Sequence, residues 1–245
     1  MVTSNQWRRD AVLRHIARYG LTLRPVLANV FYRDHEKTLD RDLERMREYD
    51  WIAAVENAIP EEGEPQTKFS YYQLTTAGTR RIGAAKSRAR KLGGEALSRN
   101  LCYLWFCCMR SQRRHRLTEE DMVDLFGQAN VFGADEAGRD QLRLRGFHCL
   151  DRNGDSRYRV LNLYAPRTSV GDVIVELRKR IRDVRSIPAV ADAIEAEQYA
   201  FAVLTESAML RDELREELAK SLGKEGVVFL VAKSPGSWKQ TNRHA

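Results

Sequence analysis

Apolar residues in the first fifty positions recur at spacings of three and four, which is the period of a half-buried helix. Helices are therefore predicted over 6–19, 25–32 and 35–49. Gly20 ends the first of them, and Pro25 suits the first turn of the second. The chain thus opens with three short helices, each of which buries one face.

The period changes after position 50, where short apolar and aromatic runs predict two strands. They cover 51–55 and 69–74 and are joined by a loop that contains Pro and Gly. A further helix is predicted over 76–92. The order of helix, helix, helix, strand, loop, strand and helix matches a winged helix-turn-helix module over 1–92.

The segment 93–144 is predicted to be a helical connector or dimerisation segment. Gly93 and Gly94 form the linker, and a helix with a very apolar centre follows over 95–113. A helix that is apolar on nearly all sides is buried, so we interpret it as a pillar between two domains or as a dimer interface. A solvated helix end is predicted for the basic residues that follow, and the alternative is that they reach DNA: Arg110, Arg113, Arg114, His115 and Arg116.

Short strands and helices alternate later in the chain, which predicts a small α/β domain over 145–234. Asn153 and Gly154 stand between two strand-like runs and indicate a hairpin. Two buried strands at 199–205 and 227–232 enclose a helix, and such a βαβ unit has parallel strands. The order of elements loosely resembles a degenerate restriction-endonuclease core.

A loose polar tail over 235–245 completes the chain. The expected fold class is therefore α+β, with a winged helix-turn-helix module, a helical connector and a small α/β domain.

Positive charge is concentrated in the first part of the chain. The sequence has 41 Lys and Arg against 34 Asp and Glu, a net charge of +7 at pH 7. Residues 1–99 hold 18 basic and 13 acidic side chains, whereas 171–245 hold 12 of each. The densest basic run, 80–91, contains no acid. This distribution favours a polyanionic partner, and the alternative is a solvated helix face.

The third helix separates its charges in the way that a DNA-reading helix does. Lys37, Arg41 and Arg45 share one face, and an apolar stripe that includes Leu39 and Leu43 points inward. A second face is acidic and carries Asp40, Glu44 and Glu48. A recognition helix needs long donors opposite a buried stripe, because they must reach guanine edges and phosphates. The alternative is an ordinary surface helix whose acids and bases form ion pairs.

Further residues around this helix complete the candidate DNA-binding set. Thr38 and His35 lie at its N-terminal end, where the helix dipole favours phosphate, and Asp34 is the expected cap. The other basic candidates lie near the helix pair or begin the basic run: Arg24, Arg33, Arg80 and Arg81. The loop between the strands is not expected to enter the minor groove, because it is acidic: Glu61, Glu62 and Glu64.

Two stretches resemble the replication-relaxation family of plasmids and integrative elements. They are 38–52, with the sequence TLDRDLERMREYDWI, and 71–78, with the sequence YYQLTTAG. The resemblance covers roughly 6–92 and implies a bacterial winged helix associated with plasmid replication, mobilisation or transcriptional control. The chain departs from that family at Tyr49 and Asp50, where many relatives have a Gly at the helix end, and in its acidic loop.

The residue types and spacings predict no catalytic residue, no metal ligand and no cofactor. The four cysteines lack the C-x₂-C spacing of a zinc site and are expected to be small buried residues: Cys102, Cys107, Cys108 and Cys149. A Mg²⁺-dependent nuclease needs two carboxylates, usually with a Lys, at the ends of adjacent strands. The strand at 157–165 has neither, while Asp151 and Asp155 are expected in a hairpin turn. The second domain is therefore predicted to be non-catalytic.

The expected function is sequence-specific binding of double-stranded DNA by a cytoplasmic protein. The polar start and the short longest apolar run, 101–109, predict neither a secretory signal nor a membrane span. The protein would act as a transcriptional regulator or as an accessory in plasmid or mobile-element replication or mobilisation, and as a homodimer, because one module reads few base pairs. Two alternatives remain open: a Mg²⁺-dependent nuclease targeted by the winged helix, and an adaptor whose acidic loop or second domain binds a protein.

Overall fold

The computed structural model divides the chain into two compact units, Met1–Ser111 and Gln112–Gly236. The boundary falls inside the predicted connector 93–144, whose apolar helix belongs to the first unit. The structure describes these residues: 4–33, 35–59, 67–110, 112, 114–134, 140–153, 157–166, 168–205 and 208–233. The fold is a mixture of helices and strands in both units, which confirms the α+β class.

The first unit consists of three helices, a hairpin and two further helices. Its elements are α1 (Ser4–Tyr19), α2 (Arg24–Phe31), α3 (Glu36–Glu48), β1 (Ile52–Ile59), β2 (Thr67–Leu74), α4 (Thr76–Ile82), a 3₁₀ turn (Lys86–Ala89) and α5 (Gly94–Cys108). Strands β1 and β2 pair antiparallel, with Ile52 opposite Leu74. One apolar core joins α1, α2, α3 and the hairpin: Val12, Leu13, Ile16, Leu27, Tyr32, Leu39, Leu43, Met46, Ile52 and Leu74.

Local sequence signals place the turns of this unit. Gly20 ends α1 with a φ of +79°, a conformation that only glycine adopts freely, and its N–H bonds to the carbonyl of Ile16. The Thr75 hydroxyl caps α4 by accepting a hydrogen bond from the N–H of Gly78 over 3.1 Å. A Cβ at position 78 would lie 2.0 Å from the carbonyl oxygen of Trp51, so the close approach of α4 to the hairpin requires glycine there.

The structure corrects two predicted helices in the first unit. The helix expected over 76–92 ends at Ile82, because Gly83 adopts a left-handed conformation and a separate 3₁₀ turn follows. Gly93 and Gly94 do not separate domains; Gly93 caps α5 and Gly94 begins it. Helix α5 stops at Cys108, contacts α1 and α2, and buries most of its side chains, including Cys102, Cys107 and Cys108.

The second unit is built on a five-stranded sheet with the order β3-β6-β7-β8-β9. Pairs β3·β6 and β6·β7 are antiparallel, and pairs β7·β8 and β8·β9 are parallel. Its strands are β3 (His115–Leu117), β4 (Phe132–Ala134), β5 (Asp140–Leu142), β6 (Phe147–Asn153), β7 (Arg157–Tyr164), β8 (Tyr199–Thr205) and β9 (Val228–Lys233). Its helices are α6 (Glu119–Phe126), α7 (Gln128–Val131), α8 (Val170–Arg185), α9 (Pro188–Glu195) and α10 (Ala208–Leu222).

Two predicted strand pairings in the second unit are confirmed. The β6–β7 hairpin is antiparallel, and β8 and β9 run parallel because helix α10 forms the crossover between them. The basic segment after α5 does not have the predicted helical conformation. His115 and Arg116 lie in β3, where Arg116 is 8% exposed and its guanidinium lies 4.1 Å from the centre of the Phe147 ring, so this segment is not a solvated helix end.

Several predicted features lie outside the described residues. They are the Asp34 cap, the acidic loop with Glu61, Glu62 and Glu64, the base Arg113, the turn with Gly154 and Asp155, and the tail over 235–245. None of the helices in the described part of the chain combines the length and apolar character that a membrane crossing requires.

Candidate nucleic-acid interface

Helix α3 has one buried face and one exposed face, as its apolar pattern predicts. Leu39 and Met46 are fully buried in the core of the first unit. Lys37, Arg41 and Arg45 are all exposed. The three bases therefore point away from the core that holds the helix in place.

A buried polar contact fixes the orientation of α3 on the other helices. Asp42 is 2% exposed, and its Oδ2 accepts a hydrogen bond from the hydroxyl of Tyr32 in the α2–α3 connection over 3.0 Å. The Nε of Arg9 on α1 lies 3.7 Å from Asp42 Oδ1. Burial, together with the carboxylate of Asp42, raises the pKa of Tyr32. Asp42 is not among the predicted site residues, although its position beside the Leu39, Leu43 and Met46 stripe is a signal for a buried acid with a partner.

The outward bases of α3 form no ion pair with any residue that the structure describes. Glu44 and Glu48 are exposed as well, and at about 100° per residue they share the outward surface with Lys37, Arg41 and Arg45. The acidic and basic faces are therefore not separate, which corrects the predicted segregation. Within the described residues, Glu44 and Glu48 lie farther than 4 Å from all three bases, so the ion pairs expected of an ordinary surface helix do not form.

Arg24 is already paired within the first unit. Its Nε and one amino nitrogen donate to the two carboxylate oxygens of Asp40 over 2.9 and 3.1 Å, and Glu36 lies 3.6 Å away. The hydrogen bonds to Asp40 raise the pKa of Arg24. This contact joins the start of α2 to α3, and it gives Asp40 a partner that Glu44 and Glu48 lack within the described part of the chain.

Arg81 is also paired, whereas Arg80 has no acidic partner among the described residues. The Arg81 guanidinium donates two hydrogen bonds of 3.1 Å to Asp10 on α1 and lies 5.1 Å from the centre of the Trp51 ring. Arg81 therefore holds α4 against α1 and the hairpin. Arg80 and the bases that follow α4 are exposed and have no acidic partner among the described residues: Lys86, Arg88, Arg90 and Lys91.

The remaining predicted site residues lie at the beginning of α3. His35 occupies the N-cap position and is exposed, as is Arg33, while Thr38 is half-buried. The exposed candidate bases without an acidic partner among the described residues fall into two sets, and Arg24, Arg81 and Thr38 belong to neither. The α3 set comprises Arg33, His35, Lys37, Arg41 and Arg45. The post-α4 set comprises Arg80, near the end of α4, and four bases that follow this helix: Lys86, Arg88, Arg90 and Lys91.

The carboxylates considered for nuclease chemistry in the second unit are not grouped around an ion site. Asp151 lies 2.8 Å from the Nε of Arg114 and accepts a hydrogen bond from Gln112, and Asp155 lies outside the described residues. Among the described residues, no three His, Cys, Asp or Glu side chains are close enough together to hold a metal ion.

The second unit contains a buried polar cluster that the sequence analysis missed. Asn162, His148 and Tyr199 come from three adjacent strands, and Asn162 and His148 are each 2% exposed. The Nε2 of His148 lies 3.0 Å from the Tyr199 hydroxyl and 3.0 Å from the amide nitrogen of Asn162. Burial lowers the pKa of His148 to about 3, with Arg180 and Arg116 adding to the effect, so this imidazole is neutral at pH 7.

No protein-family model, curated protein or solved structure matches this chain. The functional assignment therefore depends on the geometry of the two units.

Proposed function

We propose that the first unit binds double-stranded DNA sequence-specifically, as a winged helix-turn-helix module with α3 in the major groove. The observation that carries this proposal is the exposure of Lys37, Arg41 and Arg45 without ion-pair partners among the described residues. The opposite face of the same helix is buried, so the three side chains extend from a fixed support. This is the arrangement that a reading helix requires.

The mixed charge of the outward surface favours base recognition over general attraction to phosphate. Arg and Lys donate to the O6 and N7 atoms of guanine, and Glu accepts from the N4 amino group of cytosine. Glu44 and Glu48 would repel phosphates, but they can pair with cytosine edges between the contacts of Arg41 and Arg45. A helix of this composition is suited to a defined sequence.

The post-α4 set supplies the contacts to the DNA backbone in this proposal. Lys86, Arg88, Arg90 and Lys91 are exposed within a short segment, and the side-chain amide of Gln73 on β2 donates a hydrogen bond to the carbonyl of Arg90. That bond ties the segment to the hairpin. Exposed cations on a held segment provide non-specific affinity that depends on salt.

The biological role that we propose is transcriptional control, or an accessory role in plasmid or mobile-element replication or mobilisation. Two copies of the chain on an inverted repeat would extend the short sequence that a single module reads. In the second unit, the strand order of the sheet is compatible with a restriction-endonuclease-like core. The pairing of Asp151 with Arg114 favours a non-catalytic role for it.

Selection from a library of DNA duplexes with a randomised centre tests this function. The enriched duplex is then titrated with the full chain by fluorescence anisotropy, beside a duplex of scrambled sequence. We expect each of Arg41→Ala and Arg45→Ala to weaken binding to the enriched duplex by about tenfold or more, because each removes a base contact.

Arg47→Ala is the matched control. Arg47 is also an exposed base of α3, but it lies on the side of the hairpin, where its positive charge acts to lower the pKa of Tyr72 on β2. It should leave the affinity within about twofold. Failure to enrich any sequence, or equal losses in all three variants, would contradict the proposal. Mg²⁺-dependent nicking of the enriched duplex would favour the nuclease instead.

A further inference from the structure

The second unit has a cavity of about 430 Å³, partly open to solvent, beside β7, the central strand of its sheet. The segment after β5, Asn162 on β7 and the C-terminal half of α8 line it. A volume of this size is typical of sites for small organic molecules. Its wall is mainly polar, and Arg145, Asn162, Lys179 and Arg180 contribute to it.

Asn162 gives this cavity a buried acceptor. Its amide nitrogen is occupied by His148 and by the Tyr199 hydroxyl, at 3.0 and 3.2 Å. Its Oδ1 is buried and accepts no hydrogen bond from any described residue. An unsatisfied buried carbonyl is costly, so a native structure that retains one usually gives it a purpose. A hydroxyl or amino group of a ligand would satisfy it.

Gly146 keeps the space beside this acceptor open. A Cβ at this position would lie 3.8 Å from Asn162 Oδ1 and 3.6 Å from an amino nitrogen of Arg180. The φ of Gly146 is +107°, which a residue with a side chain rarely adopts. An atom in that space lies in van der Waals contact with the Asn162 amide group and with the Arg180 guanidinium.

Arg180 is held in position to receive an anion. Its Nε donates to Glu176 over 2.9 Å, and its guanidinium lies 4.4 Å from the centre of the Tyr164 ring. One of its terminal nitrogens lies 3.6 Å from the Cβ position at Gly146, on the wall of the cavity. A guanidinium that is fixed in this way binds phosphate oxygens with little loss of side-chain entropy.

The charges around the cavity favour a doubly charged ligand. Four bases line it, Arg143, Arg145, Lys179 and Arg180, against two acids, Glu176 and Asp183. Lys179 is exposed and has no ion-pair partner among the described residues. The excess of two positive charges matches the dianion of a phosphate monoester.

We propose that this cavity binds a small organic phosphate monoester. Its phosphoryl oxygens contact Arg180, Lys179 and Arg145, and one of its hydroxyl or amino groups donates a hydrogen bond to Asn162 Oδ1. Sugar phosphates and nucleoside monophosphates share this chemistry. Such a site would make the second unit a ligand-binding unit, independently of whether the first unit binds DNA.

Isothermal titration calorimetry of the full chain tests the site with ribose 5-phosphate, adenosine 5′-monophosphate, inorganic phosphate, ribose and adenosine. We expect the two esters to bind at least about tenfold more tightly than inorganic phosphate, because only an ester has hydroxyl or amino groups on an organic part that can donate to Asn162 while the phosphoryl group contacts the bases. Whichever ester binds more tightly identifies the class of the natural ligand. The unphosphorylated compounds should give no binding heat.

Lys179→Ala should weaken ester binding by about tenfold, because it removes a charge-assisted contact. Arg182→Ala is the matched control, because Arg182 is an exposed base of α8 outside the cavity. Asn162→Ala should remove the preference for esters over inorganic phosphate, and its thermal unfolding midpoint shows whether it is folded. Equal losses in Lys179→Ala and Arg182→Ala, no preference for esters, or no binding heat would overturn the proposal.

Discussion

The hydroxyl of Tyr32 donates a hydrogen bond of 3.0 Å to the carboxylate of Asp42, and both side chains are almost completely buried. The bond joins α3 to the segment that ends α2, and Arg9 adds a cation from α1. The orientation of the proposed reading helix thus depends on a charged group inside the core as well as on its apolar stripe.

Removal of Asp42 should destabilise the first unit strongly. Asp42→Ala leaves the Tyr32 hydroxyl without an acceptor and Arg9 without its buried partner, and we expect a loss of about 3 kcal/mol in the free energy of unfolding. Tyr32→Phe removes one donor and should cost about 1–2 kcal/mol. Urea denaturation measures both, with the exposed Glu44→Ala as control. A cost below about 0.5 kcal/mol for Asp42→Ala would show that the contact does not hold α3.

The removal of Asp40 should strengthen DNA binding. Asp40→Ala removes the two hydrogen bonds from Arg24 to Asp40, so that Glu36 is the acid left beside Arg24, and it deletes an acid from α3. We therefore expect an affinity gain of about threefold to tenfold for the enriched duplex. The exposed ion pair itself should contribute less than about 1 kcal/mol to stability. Fluorescence anisotropy at low and high salt measures the gain. Glu213→Ala on α10 is the control for a general change in net charge, and an equal gain there would contradict the role of Arg24.

The α3 set and the post-α4 set should differ in their salt dependence. Arg88→Ala and Lys91→Ala remove phosphate contacts, so each should lower the slope of log K against log salt by about 0.9 and weaken all sequences alike. Arg45→Ala should instead reduce the difference between the enriched and scrambled duplexes. Titrations over a salt series on both duplexes separate the two effects. A uniform loss in Arg45→Ala would assign Arg45 to the backbone contacts.

Stability should fall in mild acid because two histidines are buried in neutral form. Burial, with a smaller contribution from Arg18, lowers the pKa of His15 to about 3, and the pKa of His148 is also lowered to about 3. The unfolded chain takes up protons at these residues below pH 6.5, whereas the folded chain does not. The stability that the two neutral imidazoles give to the folded state is therefore complete above pH 6.5 and is lost as the pH falls towards 3.

Urea titrations should show that the free energy of unfolding is lower at about pH 5 than at about pH 7, by about 2 kcal/mol for each histidine. His148→Gln and His15→Gln should each reduce this pH dependence, because glutamine does not titrate. An unfolding free energy that is the same at both pH values would contradict the burial of neutral imidazoles.

The sequence by itself determined the elements whose signals are local. The stripe of Leu39, Leu43 and Met46 predicts α3 and its inner face, and continuous apolar runs predict the parallel strands β8 and β9. The exposed position of Lys37, Arg41 and Arg45 follows from the same period, since the side of a helix is set by spacing alone.

Only the tertiary structure decided which charges are already paired. Arg24 and Arg45 look alike in the sequence, but Asp40 lies beside Arg24 because α2 packs on α3, while no described acid reaches Arg45. The cluster of Asn162, His148 and Tyr199 has the same origin. Its members are up to 51 positions apart and meet because their strands are neighbours in one sheet. Spacing along the chain reports the face of an element, whereas the partner across an interface depends on how the elements pack.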